Sequence, residues 1–108
     1  MSFGQYIAQE RKRINLTQKG LAAKIKRSDE DKPITPQYLN DIEHDRRSPS
    51  SPELITTIAE ALGVDPDVLY VLAGRMPSDV SRKQLADPQA VARAMKAFRR
   101  ALHSSDSK

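Results

Sequence analysis

The stretch ITPQYLNDIEHDRRSPS, residues Ile34–Ser50, decides the fold. Thr35 followed by Pro36 announces a helix, because the threonine hydroxyl can cap the first turn and the proline lacks an N–H only where a helix has no acceptor for one. At 100° per residue, Leu39 and Ile42 fall on one side with Thr35 close by, while Gln37, Asn40, Asp41 and His44 fall within about 100° of each other on the opposite side. Asn and Gln side chains donate and accept at once. A helix of this width fits the major groove of a duplex, so such a face can read base edges. Taken alone, the same stripe is also what any amphipathic helix shows to water.

Glu43 separates the two readings, since its angle places it near Leu39 on the side that must be buried. A buried carboxylate needs a partner. Arg11 lies beside the apolar positions Phe3, Ile7 and Ile14 of an earlier helix, and its planar fork can hold a carboxylate with two hydrogen bonds. An Arg11–Glu43 bridge tying the first helix to the third is expected.

Working outward, helix signals recur and strand signals do not: aromatics make up 5% of the chain, and no alternating run of β-branched residues is present. Ser2 and Gln5 have capping-box spacing for a helix over about Ser2–Ile14. Thr17 caps a second, TQKGLAAKI. The Ser-Pro or Asp-Pro pairs at Ser51, Asp65 and Asp87 open helices over Pro52–Leu62, Pro66–Ala73 and Pro88–Leu102, with Gly63 and Gly74 as stops. The segment Lys26–Lys32 balances three basic against three acidic residues and reads as a solvated loop. Residues 75–87 read as a linker that holds a short helix from Ser78 or Ser81, and His103–Lys108 as a frayed tail. The chain is thus expected to be all-α, with a five-helix body over residues 1–74, the linker, and an amphipathic helix over residues 88–108.

Arg11 placed seven residues before Gln18, the run TQKGLA, then ITPQYLNDIEHDRRSPS and ITTIAEALGVDPDVL together resemble the Cro and lambda-repressor-type helix-turn-helix regulators, also called the xenobiotic-response-element (XRE) family. The likeness covers Phe3 to Ala73. It implies a lambda-repressor-like five-helix DNA-binding domain with the second and third helices as the helix-turn-helix. Carried over by position, Gln37, Tyr38, Asn40 and Asp41 face bases or the groove wall. Gln18, Arg46 and Arg47 hold phosphates, and the capping residues Thr17 and Thr35 are assigned to phosphate with them. Arg46 and Arg47 equally suit the negative end of the helix dipole.

This chain departs from the family pattern in two places. The connection KRSDEDKP is longer than the usual tight turn, and Pro36 stands where many members carry a base-reading side chain, which shifts reading onto Gln37. Asp41 and Asp45 put negative charge near the DNA face, lowering nonspecific affinity, with cytosine amino groups a suitable target for Asp41.

In the last helix Val91, Met95, Phe98 and Leu102 recur at the spacing of a coiled-coil seam, with Arg93, Lys96 and Arg100 opposite. The stripe must be covered, either by the chain's own body or by a second copy, and a second copy suits a symmetric regulator on a palindromic operator. The excess charge of +4 is uneven: residues 1–74 carry net −1 and residues 75–108 net +5. That imbalance keeps a competing reading open, in which the basic last helix of an antitoxin or adaptor grips an acidic protein partner.

The chain has no Cys, and it lacks a Gly-rich phosphate loop, an H-E-x-x-H motif and any evident nucleophile-base pair. His44 and His103 are far apart. Asp29, Glu30, Asp31 and Asp45 read as loop charges. No catalysis, metal, cofactor or membrane association is therefore expected, and the setting is a bacterial or phage-type cytoplasm in association with the nucleoid. The expected function is sequence-specific binding of double-stranded DNA as a homodimeric transcription regulator, a repressor in the simplest mechanism.

Overall fold

Each helix of the body begins on a side chain that accepts a backbone hydrogen bond from the first turn, which satisfies a donor the helix itself leaves orphaned. In the computed structural model, Ser2 accepts from Gln5 N, Thr17 from Gly20 N, Thr35 from Tyr38 N, Ser51 from Leu54 N and Asp65 from Asp67 N. These caps open α1 (Phe3–Arg13), α2 (Gln18–Lys24), α3 (Pro36–Glu43), α4 (Pro52–Leu62) and α5 (Pro66–Ala73). The capping box at Ser2 and Gln5 is complete. Gly63 and Gly74 end α4 and α5 in the left-handed conformation, both at φ 70°.

The structure describes residues 1–26, 32–49, 51–77, 79–80 and 85–106. Most of the expected solvated loop, and the expected starts of a short linker helix at Ser78 and Ser81, lie outside the described residues. The chain divides into two units, Met1–Pro77 and Ser78–Lys108. The second holds α6 (Pro88–Asp106), which continues past Leu102 through part of the segment expected to fray.

Within the first unit, α3 packs against α1 and α2 while α4 packs against α5. Ile7, Leu21, Ile25, Leu39, Ile42, Ile55, Ile58 and Leu69 are fully buried at their meeting point. Each such side chain contributes about 1.5–3 kcal/mol over leaving it in water. Tyr70 joins α5 to α4 by donating its hydroxyl to Pro52 O at 2.9 Å, with Thr56 Oγ1 3.0 Å away.

The long connection between α2 and α3 is closed at its base. Lys26 and Pro33 form an isolated antiparallel bridge, and Ile34 N donates to Ile25 O at 2.9 Å. Ile25 and Ile34 are both buried. The extra residues therefore leave from a stem that the core already holds, so the relation of α2 to α3 does not depend on them.

Two fastenings fix α1 against α3. Arg11 Nε donates to Glu43 Oε2 at 2.7 Å and Arg11 Nη2 to Glu43 Oε1 at 3.1 Å, while Nη1 reaches Leu16 O at 2.8 Å in the turn that follows α1. The two side chains are 11% and 3% exposed. At the other end, Asp45 takes Ser2 Oγ at 2.6 Å and Gly4 N at 3.0 Å. Asp45 was expected to be a loop charge; its carboxylate instead sits on the positive end of α1, where the helix dipole favours an anion. The backbone approaches so closely there that a Cβ on Gly4 falls 2.3 Å from Ile42 O and 2.5 Å from Glu43 O.

Arg11→Ala, which leaves Glu43 buried without its cation, is expected to lower unfolding free energy by about 3–5 kcal/mol. Gly4→Ala is expected to cost about 1–3 kcal/mol by forcing α1 away from α3. Urea denaturation measures both, and a wild-type midpoint in either variant contradicts the corresponding fastening.

Candidate nucleic-acid interface

The outward side of α3 follows from the burial of its inward side. Leu39 and Ile42 are fully buried and Glu43 is 6% exposed, which turns Gln37 to solvent and leaves Asn40 and Asp41 half-buried beside it. His44 is exposed at the end of the helix, its Nδ1 2.9 Å from Asn40 O.

Tyr38 goes elsewhere. Its residue belongs to the core cluster at 8% exposure, so the position carried over as base-facing is an inward one. The helical circle explains this, since Tyr38 lies only about 40° from Ile42. The Arg47 guanidinium stands 5.5 Å from the centroid of the Tyr38 ring, within cation–π range. Tyr38 thus supports Arg47 at the rim of the face.

Asp41 is the hub of that rim. Its Oδ1 accepts from Gln37 Nε2 at 3.1 Å and from Arg46 Nε at 3.0 Å, with Arg46 Nη2 in ion-pair contact at 3.0 Å, while Arg47 Nε lies 3.9 Å from Oδ2. The Arg46 and Arg47 backbone N–H groups also donate to Asp41 O, at 2.8 and 3.3 Å. Both arginines are mostly exposed, at 54% and 64% of their side-chain area. The two cations that follow α3 are therefore held in place by a residue on α3.

The start of α2 lies alongside. Gln18 Nε2 donates to Asn40 Oδ1 at 3.0 Å and to Glu43 Oε1 at 2.9 Å, which brings the amide assigned to phosphate into contact with the amide assigned to a base. Thr17 Oγ1 is engaged with Gly20 N and Thr35 Oγ1 with Tyr38 N. The hydroxyls are thus spent as caps of their own helices.

The residues that sequence reading missed are Gly4 and Asp45, which set how closely α1 approaches the end of α3. No short motif signals them. Asp45 has φ 59° and Asn15 φ 61°, a conformation that Asn and Asp tolerate better than other non-glycine residues. An Asp just past a helix end is the nearest thing to a local clue.

Among the described residues, no group of three or more His, Cys, Asp or Glu side chains could hold a metal ion, and no helix is long and apolar enough to cross a membrane. A cavity of about 440 Å³ opens near Ser2, Asp45, Arg47 and Arg75, behind the end of α3.

The hydrogen bond from Arg46 holds the Asp41 carboxyl below its ordinary value of 3.8, helped by the Gln37 hydrogen bond and the charges of Arg46 and Arg47 and opposed by burial. A depressed folded value means that the stabilisation is complete at neutral pH and is lost as pH falls through the folded titration. Carboxyl-carbon NMR is expected to place the Asp41 midpoint below 3.8 and to show it rising towards 3.8 in Arg46→Ala. Equal midpoints in the two proteins contradict the hub.

No curated protein and no solved structure matches the chain. The helix-turn-helix family model matches residues 7–69, a span that contains α2, α3, Arg11, Glu43 and both arginines. An all-α body with its second and third helices packed together is consistent with that match, and the chain belongs to the helix-turn-helix family of DNA-binding transcription regulators, of the XRE and Cro/lambda-repressor type.

Proposed function

We propose that the protein is a sequence-specific regulator that binds a palindromic operator as a homodimer, with α3 in the major groove and α2 across the backbone. The observation that carries this reading is the single outward surface on which Gln37, Asn40 and Asp41 lie between the start of α2 and the Arg46–Arg47 pair. Gln37 and Asn40 contact base edges. Arg46, Arg47 and the first-turn N–H groups behind Thr17, Gln18 and Thr35 hold phosphates. Asp41 orients the arginines and gives a base edge an acceptor when they move to phosphate, while Tyr38 backs Arg47 from the core. Repression follows by occluding polymerase, in a cytoplasmic, nucleoid-associated setting.

The pairing surface is α6. Met95, Phe98 and Leu102 are 42%, 45% and 51% exposed, and with the half-buried Val91 they form one narrow stripe. A second copy of the same helix supplies a matching stripe, as a two-fold interface requires. Because a single α3 touches few bases, doubling the reading surface is what makes an operator distinguishable.

Binding through phosphates makes affinity salt-dependent. A dimer with ~6–10 phosphate contacts is expected to lose ~10³–10⁵ in affinity between about 50 and 200 mM salt. Arg46→Ala weakens all duplexes alike, whereas Gln37→Ala costs about 1–3 kcal/mol at one base pair. Fluorescence anisotropy on operator and scrambled duplexes separates these effects. Affinity indifferent to both salt and sequence points instead to the adaptor reading, with the basic α6 on an acidic protein. Sedimentation of the whole chain and of residues 1–77 tests assembly: a dimer that becomes a folded monomer on truncation is expected, and equal monomeric masses contradict pairing through α6.

A further inference from the structure

The amide at the centre of the face has its polarity set from inside the molecule. Glu43, paired with Arg11, can only accept, so the end of the Gln18 side chain that meets it must be Nε2. That same nitrogen also meets Asn40, so the end of Asn40 facing it must be the oxygen, Oδ1. Both hydrogens of Gln18 Nε2 are then used. Among the described residues nothing takes the two hydrogens of Asn40 Nδ2, and no described side-chain N or O atom is both buried and unpartnered. Those two hydrogens face water.

We infer that the chain Arg11–Glu43–Gln18 fixes Asn40 with its amino group outward, and that Asn40 thereby selects guanine at the base pair it meets. This rests on the proposal that α3 reads the major groove. In that groove guanine alone presents two acceptors side by side, N7 and O6, whereas adenine and cytosine place an amino donor on the same edge and thymine has one acceptor beside a methyl group. An asparagine free to rotate matches adenine instead, using its oxygen and nitrogen together. Here the oxygen is engaged by Gln18, and turning the amide over sets two N–H groups against each other beside a buried carboxylate. Gln18 is thus a positioning residue for specificity, while its remaining polar atom, Oε1, has the wrong polarity for phosphate.

Selection of bound fragments from a randomised duplex pool by the full-length protein, followed by sequencing, tests this. The wild type is expected to enrich a site with a guanine column that relaxes in Asn40→Ala, with guanine favoured over adenine about tenfold. Asn40→Asp keeps the outline without the donors and loses the guanine. In Gln18→Met, which frees Asn40 to rotate, the guanine-to-adenine ratio in that one column falls towards parity while the other columns stand. A Gln18 residue with only a structural or phosphate role instead lowers affinity for every sequence and leaves the ratio unchanged, which overturns the inference, as does an adenine in the column that Asn40→Ala relaxes. Circular dichroism melts establish that the variants fold, and Asn40→Asp carries the test if Gln18→Met does not. No enrichment of any sequence by the wild type overturns the groove reading itself, and this inference with it.

Discussion

The ion pair between Arg11 and Glu43 is the constraint on which the rest of the body depends. A carboxylate 3% exposed is costly unless its cation and further donors are present, and here all are supplied. Arg11 gives two hydrogen bonds to Glu43 and a third to Leu16 O, and Gln18 gives another to Glu43. One buried charge therefore joins α1, the turn after it, α2 and α3. An apolar pair of the same volume could fill the space, but it would not dictate which atom of Gln18 points inward. The brace therefore fixes the rotation of α3 about its axis, and hence which side chains reach the surface.

Rotation alone does not fix tilt. The second contact, where Asp45 receives Ser2 and Gly4 at the start of α1, lies about two helical turns from the first along α1 and acts as the other end of a clamp. Gly4 admits the α3 backbone at a distance where any side chain collides. With both ends held, α3 has little freedom to rock. For the proposed reading of base edges by α3 that stiffness matters, because hydrogen bonds tolerate small errors in distance and angle only.

Much of this was legible from local chemistry. Caps and prolines placed the starts of α3, α4 and α5, since a Thr, Ser or Asp followed by proline has few other stable uses. The Arg11–Glu43 bridge followed from a carboxylate at a buried helical angle. Tyr38 differs from the family position because its angle beside Ile42 turns it inward, and α6 runs past Leu102 to Asp106 although the residues there are mostly polar. Gly4 and Asp45 were illegible for a different reason. Their contact spans some forty residues of chain and depends on a left-handed Asp45, which no local periodicity encodes. The long α2–α3 connection departed from the family pattern, yet its stem shows why that departure is cheap: Ile25 and Ile34 are in the core, and lengthening a loop whose ends are held costs little entropy.

Asp41 shows how a negative charge can belong on a surface proposed to meet a polyanion. Its pairs with Arg46 and Arg47 lie at the surface, where solvent screens ion pairs and leaves each worth little, so in the proposed complex the arginines can exchange the carboxylate for a phosphate oxygen at small cost. What the pairs supply is order. Two flexible side chains that would otherwise sample many rotamers are gathered against the end of α3, one over Tyr38 and one on Asp41, before any duplex arrives. In the proposed complex the same carboxylate repels a phosphate that comes without a suitable base edge. The first 74 residues carry net −1, so this part of the chain has no overall positive charge with which to attract DNA, and in the proposed complex its contacts have to be well placed.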